Sequence, residues 1–243
     1  MKSFKLILEM CLFTLVIGAG LTGCELAGLD FQKSEIFHPH VLDPHTHMTA
    51  WQYLNERSDS TKEDTILSLM KAAIIYAGLD STEYSDTGRT FIFLHNNAVL
   101  SKKSNKVVNT CYFGKYLVPE RTANGDTVFS NGKPVMIPAT SWSDYPKQEV
   151  KNFLEYLIIK GTYSFDNLTA LNTTVQTLLP LGTDTLNPQS IMTMLVTDDG
   201  NSEIDLNDFF GSADQVAVRT GGILCTNGPV HVIDKVLFYQ KLK

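Results

Sequence analysis

The strongest constraint in this sequence is a pair of apolar, β-rich runs that flank an Asn-Gly pair near the end of the chain. The runs are Ile223–Thr226 and Val230–Ile233, and Asn227 and Gly228 lie between them. Asn-Gly between apolar runs is the strongest short-range hairpin signal, because both residues tolerate the left-handed backbone of a tight turn. The sequence therefore predicts a closing antiparallel hairpin, with Val232 facing the core.

An amphipathic helix is predicted far upstream of this hairpin. Apolar residues recur at three- and four-residue steps over Ile66–Ala77, which is the spacing of one helical face. Thr61 and Asp64 are spaced like an N-cap and its acidic partner, and Gly78 suits a left-handed helix end. We expect Ile74, in the middle of the apolar stripe, to be buried.

Helical signals come early in the chain and strand signals come late. Trp51 and Leu54 fit one helical face, another helix is predicted after Pro146, and Thr90–Leu94 is a short β-rich run. Beyond Gly161 the chain consists of β-rich runs separated by turn residues. Because helices and strands are segregated rather than alternating, the pattern predicts an α+β domain.

The first 23 residues are predicted to be a lipoprotein signal peptide. Lys2 and Lys5 precede an apolar run, Met10–Gly20, that is too short to span a membrane as a helix. A small residue directly before Cys24 resembles the processing site of bacterial lipoproteins, in which the cysteine becomes the acylated N-terminus. We therefore expect acylated Cys24 to hold the mature chain on a lipid membrane of the bacterial cell envelope, at the surface or periplasmic face of the outer membrane.

Residues 24–47 are predicted to be a tether, and residues 48–243 a single domain. The tether has no helical or strand period and contains Pro39 and Pro44. It also carries four histidines that are weak candidates for a zinc or copper site; these are His38, His40, His45 and His47. Since a flexible tether lacks the rigid elements that metal geometry demands, we favour a polar linker and expect no metal or cofactor.

Composition and motifs exclude several classes of protein. With 20 Lys and Arg against 26 Asp and Glu, the net charge of −6 and the lack of a basic stripe disfavour nucleic-acid partners. No nucleophile, metalloprotease, phosphate-loop or dinucleotide motif occurs, so we do not expect an enzyme. Cys111 and Cys225 are the thiols left after processing, and the sequence leaves open whether they form a disulfide.

Three segments resemble those of fasciclin-type domains, over most of residues 49–240. Thr90–Val99 and Asn227–Leu237 are similar to the two signature boxes of the family, and Leu154–Gly161 is similar to its central segment, with Tyr156 kept. The resemblance implies a wedge-shaped β-sandwich with helices packed along one edge, and no catalysis. It also implies structural rather than catalytic roles for a small set of residues, namely Tyr156, Asn227, Gly228, His231 and Asp234.

The same resemblance implies an extracellular binding or adhesion module that contacts a protein or a glycan. Animal members carry an integrin-contacting Asp-Ile pair before the second box, and Gly222 and Ile223 stand there in this chain. Integrin-type adhesion is therefore not expected. The alternative is a structural accessory subunit of an outer-membrane complex, for example a system that handles polysaccharides.

Residues 105–145 are predicted to be a β-rich insertion with its own aromatic side chains. Asn124-Gly125 and Asn131-Gly132 suit two turn tips of a β-hairpin. Four of the aromatic residues are candidates for a partner-binding surface; these are Trp142, Tyr112, Tyr116 and Tyr145. The competing interpretation is that the rings pack together as a small core of the insertion.

Overall fold

The computed structural model describes residues 44–61, 65–198, 202–209, 212 and 215–238. The expected lipidation site Cys24, the tether histidines His38 and His40, and Asp64 lie outside the described residues. Within them, helices dominate the first part and strands the second, so the predicted α+β class is confirmed.

Five α-helices occur in the part of the chain that the structure describes. Their bounds are α1 (Ala50–Glu56), α2 (Ser68–Ala77), α3 (Asn96–Val99), α4 (Tyr112–Lys115) and α5 (Lys147–Tyr156). Two short 3₁₀ helices cover Ser81–Tyr84 and Trp142–Asp144.

Fourteen strands occur in the same described residues. The strands before α5 are β1 (Arg89–Leu94), β2 (Lys102–Lys103), β3 (Lys106–Val107), β4 (Val118–Pro119), β5 (Phe129–Ser130), β6 (Lys133–Pro134) and β7 (Met136–Ile137). Those after it are β8 (Ile158–Lys160), β9 (Thr173–Gln176), β10 (Ile191–Val196), β11 (Ile204–Leu206), β12 (Val216–Ala217), β13 (Thr220–Cys225) and β14 (Gly228–Ile233).

Helix α2 has the predicted apolar face but not the predicted start. Its C-terminus is capped by Gly78 in the left-handed conformation, with φ of 65°, and Ile74 is buried. The expected cap at Thr61 and Asp64 is wrong, because the helix begins at Ser68. The side-chain oxygen of Asn96 accepts a hydrogen bond from the Leu69 amide at 2.9 Å, so a residue distant in sequence satisfies the helix N-terminus.

Helix α5 begins directly after Pro146, as predicted, and strand β8 begins two residues after the helix ends. Val150, Phe153 and Leu154 are buried on one face of the helix. The apolar stripe continues past the helix end, where Ile158 begins β8. The apolar stripe therefore belongs partly to a helix and partly to a strand, and the spacing of its residues alone does not show where the helix ends.

Two four-stranded sheets contain most of the strand residues. One has the order β13-β14-β1-β8, in which β1 and β14 are parallel and the other pairs are antiparallel. The other has the order β12-β11-β10-β9 and is antiparallel throughout. The Leu178 amide donates to the Ile158 carbonyl at 2.8 Å and so links the segment after β9 to β8.

The closing hairpin is present, but its turn lies one residue earlier than predicted. Cys225 pairs with Gly228, so Thr226 and Asn227 form the turn. Gly228 belongs to β14, with φ of 148°, and a Cβ atom there would overlap the carbonyl oxygen of Arg89. The glycine is therefore needed for the close approach of β1 rather than for the turn.

The buried side chain of Asn227 joins three separate segments. Its Oδ1 accepts a hydrogen bond from the Ala50 amide at 2.8 Å, at the start of α1. Its Nδ2 donates to the carbonyls of Tyr84 and Asp86, each at 3.0 Å. One amide group thus satisfies three backbone groups that would otherwise be unpaired inside the protein.

His231 is fully buried on β14, and both ring nitrogens bond to backbone. The Gly222 amide donates to Nδ1 at 3.1 Å, and Nε2 lies 2.8 Å from the Tyr163 carbonyl oxygen, to which it donates. The first bond requires a bulge in β13, where Gly222 has φ of 71°. Burial lowers the pKa of His231 from its ordinary value of 6.5 to about 4, so the ring is neutral near pH 7.

Tyr156 and Asp234 also make structural contacts. The Tyr156 hydroxyl is buried, accepts a hydrogen bond from Asn207 Nδ2 at 3.0 Å and lies 3.4 Å from the Ile191 carbonyl. Asp234 pairs with another side chain. Its half-exposed carboxylate lies 3.3 Å from the Arg219 guanidinium, just past the end of β14.

Residues 44–48, at the junction of the predicted tether and domain, are attached to β13. The Leu224 amide donates to the Pro44 carbonyl at 2.9 Å, and the Thr46 amide donates to the Leu224 carbonyl at 3.0 Å. The Thr226 amide adds a bond to the Met48 carbonyl at 2.9 Å. This segment therefore covers the outer edge of the sheet. Among the described residues, no helix combines the length and apolar character required to cross a bilayer.

Two neighbouring residues of α2 give a direct test of its packing. Ile74 is 1% exposed and Ile75 is 69% exposed. We expect Ile74→Ala to lower the free energy of unfolding by about 2 to 5 kcal/mol, because it leaves a cavity. The matched control Ile75→Ala should change it by less than about 0.5 kcal/mol. Urea denaturation measures both, and equal losses would contradict the assigned face.

The buried His231 predicts a defined acid sensitivity. Its folded pKa of about 4 lies below its ordinary 6.5, so the unfolded chain binds the extra proton first as pH falls. The contribution of neutral His231 to the free energy of unfolding is fully present above about pH 6.5. It declines by about 3 kcal/mol as pH falls to about 4. The Gln variant His231→Gln should lose less stability over this range in urea titrations. Parallel pH profiles for the two proteins would refute the assignment.

Candidate functional site

Residues 105–145, here named the hairpin elaboration, contain two short antiparallel strand pairs together with α4 and the second 3₁₀ helix. Strand β4 pairs with β7, and β5 pairs with β6. Asn131 and Gly132 form the tip between β5 and β6 with φ of 49° and 73°, the left-handed values of a tight hairpin turn. Gly125, in the other predicted tip, has φ of 87°.

Trp142 is buried, as the interpretation of the rings as a small core has it, and not part of an exposed binding surface. Its side chain is only 4% exposed, and its Nε1 donates a hydrogen bond to the Leu69 carbonyl at 2.9 Å. The ring lies 4.9 Å from that of Tyr112 and 5.1 Å from that of Phe113. Trp142 therefore joins the elaboration to α2 as part of the core, where its indole N–H is satisfied.

Tyr112 is the centre of this aromatic packing. Its ring centroid lies 4.6 Å from that of Tyr116, 5.2 Å from that of Tyr145 and 4.7 Å from that of Phe153. Tyr112 and Tyr145 are buried, and Tyr116 is half-buried. The rings therefore pack together, as the competing interpretation has it, and three of them also border a cavity.

The cavity, here named the tyrosine pocket, has a volume of about 300 Å³. Its apolar wall consists of Tyr112, Tyr116, Tyr145, Phe153 and Leu179. Its polar wall consists of Glu149, Asn152, Thr183 and Asp184. The volume is at the small end of the range for ligand pockets.

Four separate parts of the chain form the walls of the tyrosine pocket. Tyr112 and Tyr116 come from α4 and its C-terminal cap, and Tyr145 follows the second 3₁₀ helix. Glu149 lies in the first turn of α5, and Asp184 lies in the loop between β9 and β10. The pocket therefore exists only when the elaboration packs against α5 and this loop.

Hydrogen bonds fix two of the pocket residues. The Tyr145 hydroxyl donates to the Tyr116 carbonyl at 2.6 Å, which orients the ring. Asp184 Oδ1 accepts hydrogen bonds from the amides of Leu186 and Asn187 at 2.7 and 3.1 Å. These bonds hold the carboxylate in place within its loop and leave its second oxygen available to a ligand.

The polar groups of the pocket are hydrogen-bonding groups without positive charge. Burial raises the pKa of the Tyr112 hydroxyl well above its usual range, and the neighbouring Tyr116, Tyr145 and Glu149 raise it further. Burial likewise raises the pKa of Tyr145. Both hydroxyls therefore stay protonated, and no Lys, Arg or His side chain is among the described residues that line the pocket.

Sequence reasoning identified three of the tyrosines but missed the polar wall. Glu149, Asn152, Thr183 and Asp184 lie 31 or more positions apart between helix and loop, and none belongs to a motif. Glu149 and Asp184 are two of 26 acidic residues in the chain, and no local sequence pattern distinguishes them from the others. Only folding brings them to one cavity.

Among the described residues, the remaining candidate groups do not form a site. The rings of His45 and His47 are stacked with centroids 6.4 Å apart. Across the described residues, no three His, Cys, Asp or Glu side chains are grouped so that they could hold a metal ion. Cys111 and Cys225 are buried free thiols, so the structure contains no disulfide between them.

A comparison with family models agrees with the sequence resemblance. Residues 122–239 match the family model described as Fasciclin domain. A solved structure of a FAS1 domain pair from the insect cell adhesion molecule fasciclin I is similar, with a TM-score of 0.36 and 16% identity. The similarity covers 78% of this chain and 45% of the FAS1 domain pair, so this chain spans less than half the length of that protein. No curated protein matches the chain.

The matched region includes most of the features described above. It contains Tyr145 and the polar wall of the pocket, the central segment around Tyr156, and the hairpin with Asn227 and His231. It begins at residue 122, inside the segment 105–145 that was predicted as an insertion. The predicted resemblance is confirmed, because residues 122–239 are similar to a fasciclin domain.

Proposed function

We propose that this protein is an extracytoplasmic binding module that acylated Cys24 holds on the bacterial outer membrane and that binds a glycan in the tyrosine pocket. The fasciclin domain match supports a binding or adhesion role. The observation that carries the glycan assignment is the combination of a ring-lined wall and a polar wall around one cavity of about 300 Å³.

A sugar ring needs both kinds of wall. Its apolar C–H faces pack against aromatic rings, and Tyr116 is the half-buried ring of the pocket. Its hydroxyls need acceptors and donors, which Glu149, Asn152, Thr183 and Asp184 supply. Because no cationic side chain lines the pocket among the described residues, a neutral sugar fits it better than an acidic one.

A structural accessory subunit of an outer-membrane complex is the second candidate. It is favoured by Phe129 on β5 and Met136 on β7, which are large apolar side chains exposed on the hairpin elaboration. Aromatic side chains and methionine are enriched where proteins meet. Purification from detergent extracts separates the candidates, since a subunit co-purifies with the same partner whether or not the pocket is altered.

Glycan binding can be tested at the pocket with matched variants. We expect saturation-transfer NMR on the full-length protein in detergent to detect one or more members of a panel of neutral oligosaccharides. Tyr116→Ala and Glu149→Gln should each weaken that binding by about tenfold, because they remove a stacking face or an acceptor. Lys151→Ala is the control, since this residue of α5 does not line the pocket and pairs with Glu155 rather than with a pocket residue. Equal loss in all three variants would argue against the pocket.

Membrane attachment can be tested separately. Cells fed a fatty-acid analogue should label the wild-type chain and not the variant Cys24→Ser, because the thiol carries the lipid. The Cys24→Ser protein should also leave the membrane fraction, since it lacks the acyl chains that hold it there. Labelling of equal strength in both proteins would contradict the anchor.

A further inference from the structure

A second surface of the hairpin elaboration has chemistry opposite to that of the tyrosine pocket. One cavity of about 620 Å³ lies between the β2–β3 hairpin and residues 138–140. A neighbouring cavity of about 370 Å³ lies against β4 and β7. Pro138 and Thr140 line both cavities, so the two are direct neighbours, and together they are here named the cationic groove.

The groove carries three cationic side chains. Lys102 and Lys106 line the larger cavity, and Arg121 lines the smaller one. All three are exposed, and none of them has an acidic partner within 4 Å among the described residues. A concentration of unpaired positive charge is unusual on a chain whose net charge is −6.

The acid that lines the groove is already engaged. Asp144 Oδ2 accepts hydrogen bonds from the amides of Thr140 and Ser141 at 2.8 and 3.0 Å. These bonds belong to the capping box of the second 3₁₀ helix. The carboxylate is therefore bonded to its own backbone rather than to a cation of the groove. Lys102 and Lys106 are available to a ligand, and Arg121 keeps its other N–H groups for one while its Nη1 donates to the Gly125 carbonyl at 2.9 Å.

The remaining walls of the groove are aliphatic. Leu100 and Val107 line the larger cavity, and Val118 and Ile137 line the smaller one. No aromatic ring is found among the described residues that line either cavity. Aliphatic walls with at least one cation in each cavity suit a chain that alternates apolar and acidic groups, whereas they offer a sugar no aromatic ring to stack on.

We infer that the cationic groove binds an extended, acidic peptide segment of a partner protein. Carboxylates of the peptide pair with Lys102, Lys106 and Arg121, and its apolar side chains lie against the aliphatic walls. This site is separate from the tyrosine pocket and does not depend on the glycan assignment. It gives the protein a way to hold a partner while the pocket stays open.

The experiment uses a labelled peptide that alternates glutamate and valine, and a second peptide in which lysine replaces glutamate. The isotope-labelled full-length protein is titrated with each and followed by NMR. We expect the glutamate peptide to shift amides of residues 100–107 and 118–121 and to leave α5 unchanged. The lysine peptide should bind at least about tenfold more weakly than the glutamate peptide. Added salt should lower the affinity for the glutamate peptide, because it screens the charges.

Variants then test the assigned charges. Lys102→Ala combined with Arg121→Ala should weaken binding of the glutamate peptide by about tenfold or more without lowering Tm, because both side chains are exposed. Lys103→Ala is the control, since this lysine lies on the same hairpin but does not line the groove. Neutral-glycan binding in the tyrosine pocket should be the same in all of these variants.

Several outcomes would overturn the inference. The first is that the glutamate peptide shifts no amide of the groove, and the second is that Lys103→Ala weakens binding as much as the double variant. A third is that polygalacturonate occupies the groove in preference to the peptide, which would make it an acidic-glycan site. Loss of glycan binding in Tyr116→Ala alone would concern only the proposed function and leave the groove unaffected.

Discussion

The fold depends on the direct contact between β1 and β14, two strands that lie far apart in sequence. The strands pair in parallel from Phe91 with Val230 to Leu94 with Ile233, and residues of both strands are fully buried. The backbone of Gly228 lies so close to Arg89 that any other residue would overlap its carbonyl oxygen. The first and last parts of the domain are thus joined by a contact that only glycine permits.

Buried polar groups extend this junction to the neighbouring elements. Asn227 connects β14 to α1 and to the first 3₁₀ helix, and His231 connects it to the β13 bulge and to Tyr163. Each side chain is hydrogen-bonded, so burying it costs little free energy. The bonds also fix how these elements are arranged around the junction. The neutral state of His231 also makes this junction the part of the fold that responds to acid.

Both candidate binding surfaces depend on the hairpin elaboration, but different residues of it line each one. Its tyrosines meet α5 and the loop before β10 to form a pocket with aromatic rings and acids. Its other strands meet the β2–β3 hairpin to form a groove with aliphatic walls, Lys102, Lys106 and Arg121. Opposite charge at two sites favours two different ligands rather than one large interface. Trp142 lies in the core beneath the elaboration and fixes it to α2.

The sequence by itself determined what depends on short-range patterns. Periodicity gave the face of α2 with Ile74, the start of α5 after Pro146, and the closing hairpin, since each follows from neighbouring residues. The tertiary structure decided what depends on distant ones: the start of α2, the burial of Trp142 and the polar wall around Glu149. The reason is physical, because a cap, a buried ring and a pocket wall are each completed by atoms that only folding brings into contact.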